Sequence, residues 1–214
     1  MPTWRGCLAF ILVFLALTIG LGRGLHSFLS LNETVGGGSL AVEGWASDYS
    51  MEMAVIEFKR GGFEKIYVTG GPIEWGAPLS EYKTYAERGA AVLLKLGMAT
   101  NLVQAVPAGR VRADRTYAAA VALNAWVREH KTPLSKLQVI SEGPHARRSR
   151  LLFAQALGRG VQVGVTAVPV SEYDPQKWWR SSAGVRGVIG ELLAYGYARF
   201  LFWGGEATEP AADR

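Results

Sequence analysis

Short apolar runs rich in β-branched residues alternate along this chain with longer stretches of helical periodicity, and that alternation leaves few architectures open. Leu40–Val42, Ile66–Thr69, Leu102–Val106, Gln138–Ser141 and Gln162–Val168 read as strands. Between them, Tyr49–Lys59, Glu81–Leu96, Thr116–Glu129 and Ala146–Leu157 read as helices, and a final helix runs from about Gly184 to Phe202. Strands separated by a helix pair in parallel, because the crossover returns the chain to the same end of the sheet. The repeated pattern predicts an α/β domain: a three-layer, Rossmann-like parallel sheet of about five strands with helices on both faces. In the final helix Val185, Val188, Ile189, Leu192 and Leu193 recur at helical spacing, which predicts a face packed on the sheet.

Ahead of the domain, Cys7–Gly22 reads CLAFILVFLALTIGLG without a charge, between Arg5 on one side and Arg23 and His26 on the other. The run is short of the roughly 20 residues a bilayer core asks for. Trp4, Leu25 and Phe28 extend it, and arginine side chains snorkel to the interface. A cleaved signal peptide shares the basic start and short apolar stretch, but LGRGLHSFLS offers no small-x-small cleavage site. The expectation is an uncleaved, single-pass N-terminal transmembrane anchor over residues 1–28 in the cell inner (plasma) membrane, with the domain on the extracytoplasmic side. Flanking charge favours this orientation only weakly. Residues 29–38, with Gly36-Gly37-Gly38, are expected to form a flexible linker, residues 39–203 the domain, and the polar Gly/Pro/Ala-rich residues 204–214 a loose tail.

The single cysteine, Cys7, lies at the start of the apolar run, so the domain can build no disulfide, cysteine-based zinc site or cysteine nucleophile. A formal charge of +5 suits an anionic partner. The basic residues are dispersed, however, with Arg147, Arg148 and Arg150 the tightest group, and no platform of interleaved basic and aromatic side chains appears. Nucleic acid is therefore not an expected partner; a small anionic ligand is.

In open parallel sheets the ligand site lies beyond the C-terminal ends of the strands, where helix N-termini also point. That rule selects Glu43-Gly44-Trp45, Gly70-Gly71-Pro72, Asp114-Arg115-Thr116, Ser141 to His145, Glu172-Tyr173-Asp174 and Trp178-Trp179. Gly70-Gly71 lets backbone amides approach a ligand or simply turns the chain, and neither a GxGxxG nor a GxxxxGK[ST] motif supports a dinucleotide or Walker site. His145, Arg148 and Ser149 share one helical face, which suits phosphate or carboxylate: arginine offers a planar fork and histidine a proton. A solvated basic face is the plain alternative. Asp114 reads as a helix N-cap. Glu43 and Glu142 both end strands, where paired carboxylates serve as acid and base or hold a divalent cation, although no metal site is assigned. Tyr173, Trp178 and Trp179 either wall a pocket or cover the sheet edge.

KIYVTGG at Lys65–Gly71, LSEY at Leu79–Tyr82, DRTYAAA at Asp114–Ala120, SEGPHARRS at Ser141–Ser149, and Glu191 together resemble the ElyC/SanA/YdcF family of bacterial proteins. The resemblance spans about Ser39 to Phe202. It implies a Rossmann-like domain behind an N-terminal membrane segment, and a role in peptidoglycan or other envelope-polymer assembly involving undecaprenyl-linked carriers. It further implies a shared pocket lined by Gly70, Gly71, Ser80, Glu81, Thr116, Ser141, His145, Arg148 and Glu191. One branch is associated with S-adenosylmethionine, so a nucleotide-like ligand stays open and no cofactor is assigned. The chain departs from the family pattern at Val42-Glu43-Gly44-Trp45, at Ser141 followed by Glu142, and in the alanine run Ala118–Ala120. Three functions follow as expectations: an envelope protein acting on a phosphate-bearing lipid-linked or sugar precursor, with His145, Arg148 and Glu142 as catalytic candidates and Glu43 among the ligand-binding ones; a nucleotide or S-adenosylmethionine-binding module without catalysis; and a non-enzymatic scaffold.

Overall fold

In a computed structural model of the chain, β1 (Gly38–Glu43), β2 (Phe63–Gly70), β3 (Val103–Pro107), β4 (Lys136–Glu142) and β5 (Gln162–Val168) form one all-parallel sheet in the order β3-β2-β1-β4-β5. Residues 3–204 are described, without the side chains of residues 5, 6, 9, 11–19 and 21. The helices are α1 (Trp4–Leu29), α2 (Asp48–Gly61), α3 (Tyr85–Lys95), α4 (Arg115–Glu129), α5 (Ala146–Leu157) and α6 (Ser182–Phe200). All five expected strands and the helices between them are present.

Strands buried on both faces alternate only in which helix they meet. Leu40 and Val42 of β1 and Ile66 and Val68 of β2 pack on Met51, Val55 and Phe58 of α2 and Leu93 of α3. Ala41, Tyr67, Leu137, Val139, Val163 and Val165 pack on Leu123 and Val127 of α4 and Phe153 of α5. The result is three layers. Strand order reverses at β1 and β4, so the loops after these two strands lead to opposite faces and leave a crevice between them.

The turn into α3 fixes the wall of that crevice. Thr84 and Glu87 form a reciprocal capping box, so the helix starts at Tyr85. Glu81, expected inside it, lies in the preceding loop. The first turn of α3 lies directly on the ends of β1 and β2: a Cβ on Gly44 would stand 2.0 Å from the Tyr85 carbonyl oxygen, and one on Gly70 2.8 Å from the Tyr85 Cβ. Glycine is therefore demanded at both positions by helix packing.

Two expectations change. The α6 face does not lie on the sheet: Val188 and Leu192 pack with Leu25 and Leu29 of α1, Tyr173 and Trp178, while Val185, Ile189 and Leu193 are exposed. The sheet faces are already filled by four helices. Residues 29–38 are a strap rather than a loose joint: Glu33 bridges antiparallel to Val165 of β5, Asn32 accepts from the Ala167 amide, and Val35 donates to Gln138. Among the described residues no helix is long and apolar enough to cross a membrane. The core of the expected anchor, at residues 11–19, lies outside the described side chains, and residues 205–214 of the expected tail lie outside the description altogether.

A methyl group at position 44 must push α3 off the sheet, whereas one at Gly190 meets nothing. Gly44→Ala is expected to lower unfolding free energy by about 2–3 kcal/mol, and Gly190→Ala to leave it unchanged or raise it by up to about 1 kcal/mol. Urea titrations of the two variants check this.

Candidate functional site

Beyond the C-terminal ends of the strands lies a cleft of about 920 Å³. Gly70 and Gly71 of the β2 turn, Thr116 at the start of α4, Glu142 at the end of β4, His145, Arg148 of α5 and Glu191 of α6 all line it. Trp45 closes over His145, its ring centroid 5.3 Å from the imidazole.

His145 is held between two carboxylates. Its Nε2 lies 3.2 Å from Glu43 Oε2 and its Nδ1 3.0 Å from Glu191 Oε1. The Nε2 contact is an ion pair rather than an aligned hydrogen bond. Arg148 grips the same Glu191 with two prongs, Nε to Oε2 at 2.8 Å and Nη2 to Oε1 at 2.9 Å. Behind the imidazole, Ser149 Oγ donates to Glu43 Oε2 at 3.4 Å and lies 3.1 Å from Ser141 Oγ. Glu43 is 2% exposed and His145 8%.

Two acids and two bases thus neutralise one another out of water. Burial alone would push His145 down, but the charge of Glu43 and the hydrogen bond to Glu191 outweigh it and hold it at about 9. Burial would likewise raise both carboxyls; the facing imidazolium keeps Glu43 below its ordinary value, and Arg148 with His145 brings Glu191 to about 2. At neutral pH the cluster is imidazolium, guanidinium and two carboxylates. The phenol of Tyr173, which also lines the cleft, is raised to about 12 by burial and by Glu172, so it stays a proton donor.

The structure separates other residues that sequence reasoning had grouped. Glu43 lies behind His145, outside the cleft lining, as do Ser141 and Ser149, which are buried. Ser80 and Glu81 also fall outside the lining; Ser80 Oγ accepts from the Tyr82 amide in the loop before α3. Glu43 and Glu142 do not pair. Register puts Val42 beside Ile140, so Glu43 follows Ser141 onto the α4/α5 face while Glu142 points to α2. There its Oε1 accepts from the Ser47 amide and from the Ser50 hydroxyl at 2.7 Å, tying down the start of α2. Asp114 occupies the N-cap position of α4 with left-handed backbone (φ 53°), yet makes no side-chain cap; its charge favours the Arg148 cation instead. Trp178 is buried against α1 and α6, and Tyr173 alone of the expected aromatic wall faces the cleft.

The lining also contains residues that were passed over. Arg110 and Arg112, in the loop between β3 and α4, and the exposed Trp75 after the Gly70-Gly71 turn all border it. Arg115 is taken by Glu74 at 2.7 Å. Arg110 and Arg112 make no ion pair among the described residues. The strand-end rule could have found them, since it had already selected the same loop at Asp114. Comparison with protein-family models, curated proteins and solved structures gives no match.

The raised His145 and lowered Glu191 dictate a pH response. Below about 6.5, the ordinary histidine value, the imidazolium stabilises the fold in full; the contribution shrinks as pH climbs and is gone above about 9. The Glu191 contribution is complete above the ordinary value of 4.5 and disappears as pH falls through about 2. Melting temperature should therefore decline from pH 6.5 to 9 in the wild type and be flat over that window in His145→Gln, itself weakened by roughly 3–5 kcal/mol because Glu43 loses its counterion. A melting series across pH checks both.

Proposed function

We propose that this chain is a membrane-anchored, YdcF-like protein of the cell envelope that binds and processes a phosphate-bearing lipid-linked or sugar precursor. The carrying observation is the pair of free arginines, Arg110 and Arg112, on a cleft whose inner end holds a protonated imidazole. The sequence points to His145 and Arg148 for the anion, but Glu43 and Glu191 already cancel their charge. The phosphate sits instead under the loop arginines, near the N-terminus of α4, whose first amides are free to add to the field.

In this reading His145 is the acid. Its Nε2 is sealed against Glu43, so the proton it can hand to an oxygen leaving the phosphate or sugar is the one on Nδ1, which Glu191 holds until the ligand oxygen takes its place. Glu191 and Arg148 hold the ring in place. Glu142 serves as the clamp on α2 and takes no part in proton transfer. The uncharged run Cys7–Gly22 supplies the anchor, in the inner membrane with the domain outside the cytoplasm.

A second reading has its own support. Glu172 with Trp45 and Trp75 gives the cleft an acidic, aromatic flank that suits the sulfonium and adenine of S-adenosylmethionine.

The two are separated by adding inorganic pyrophosphate, adenosine diphosphate and S-adenosylmethionine to the full chain and following the melting temperature, which rises with any ligand of the native state. Pyrophosphate should raise it. Arg110→Ala and Arg112→Ala should each weaken that binding about tenfold, in line with one charge-assisted hydrogen bond lost. A rise with S-adenosylmethionine alone, indifferent to both arginines, would replace the phosphate reading by the second one.

A further inference from the structure

Helix α6 presents three faces with three different surroundings. Ala183, Gly187 and Glu191, four residues apart, line the cleft. Val188, Leu192 and Tyr195 pack against the end of α1, where Arg147 stacks on both Phe28 and Tyr195 and donates to the Phe28 carbonyl. The third face carries Val185, Ile189, Leu193, Tyr197 and Phe200, and its ends continue into Leu201 and Trp203. All are exposed, Leu193 to 69%, Phe200 to 73% and Trp203 to 91%, with Tyr197 in ring contact with Phe202.

A water-facing helical surface normally carries charge of both signs. This one carries Arg186 and, over the Phe200 ring, Arg199, and no acid; the single carboxylate of α6, Glu191, turns the other way into the cleft. An apolar stripe flanked by two arginines, with aromatic residues at one end, is the composition of a helix lying in a bilayer interface, with its nonpolar side in the acyl boundary and its cations at the headgroups. The stripe also adjoins α1, the helix that bears the uncharged run Cys7–Gly22.

We propose that the exposed face of α6, from Val185 to Phe200 and on to Trp203, rests on the phospholipid surface beside the anchor. This rests on the anchor reading above. Because one helix is about 10 Å across, headgroups then lie roughly that far from Glu191, and the cleft opens next to the membrane instead of at the end of a tether.

In full-length protein with Cys7→Ser, single cysteines are placed at Leu193, Phe200, Leu15 and Lys59, labelled with a nitroxide, and reconstituted in vesicles of phosphatidylethanolamine and phosphatidylglycerol. Collisions with oxygen, which concentrates in lipid, are compared with those of a water-soluble nickel chelate. Circular dichroism and melting temperature confirm that each variant folds. Labels at Leu193 and Phe200 are expected to collide severalfold less with nickel than the label at Lys59, and more with oxygen. Nickel collisions equal to Lys59 overturn the proposal; if Leu15 is lipid-like in the same experiment, the anchor reading survives that failure. Loss of both kinds of collision together with dipolar broadening identifies a second copy of the chain on this face and also overturns it. A water-like Leu15 with lipid-like Leu193 and Phe200 removes the anchor and keeps the docking of α6.

Discussion

The fold of the site depends on a closed set of four charges. Glu43 comes from the end of β1, His145 from the turn after β4, Arg148 from α5 and Glu191 from α6, so four separate elements meet at one point. None of these groups is tolerable alone in a buried place, and each is acceptable because its neighbours carry the opposite sign. The set is also what ties α6 to the sheet end. That helix has no sheet face to pack on; it is held by apolar contacts with α1, α5 and the turn that carries Trp178, together with the grip of Arg148 and His145 on Glu191.

Much of the architecture was legible from the pattern of residues alone, for a plain reason. A strand buried on both faces needs a continuous apolar run, and a crossover helix needs the 3.6-residue period, so β5 at Gln162–Val168 and α5 at Ala146–Leu157 coincide with their expected bounds. The site was legible only in part. The strand-end rule selects His145 and Gly70-Gly71, and helical spacing adds Arg148; all share the cleft. It could not tell in advance that Glu43 points beneath the imidazole and Glu142 toward α2. That depends on which side of the pleat each strand end falls, a one-residue matter that periodicity in a short run does not fix. Ser80 and Glu81 were drawn in by resemblance, while the capping box of Thr84 and Glu87 placed the start of the helix after them. The reading of α6 failed differently: apolar spacing marks a face that avoids water, but it does not say which neighbour provides the shelter.

Charge neutrality inside the cleft changes how an anion would be received. A bare imidazolium and guanidinium would draw a phosphate inward, to the bottom of the crevice. With Glu43 and Glu191 in place the attraction is moved outward to the β3–α4 loop, where Arg110 and Arg112 lie near the mouth. In the proposed reading, binding and proton transfer therefore fall to different residues.

The strap at residues 30–35 determines where this domain can be cut. Gly36-Gly37-Gly38 looks like a convenient place to part the domain from its leader, but the strap ahead of it covers the outer edge of β5 and occupies the side chain of Gln138. A fragment beginning at Ser39 would leave the Val165 main-chain groups without partners, strip Leu29 from its apolar cluster, and open a long flat strand to any passing chain. The severed piece would therefore be prone to stack edge to edge into insoluble aggregates, and a soluble version of the domain has to keep the residues that precede the glycines.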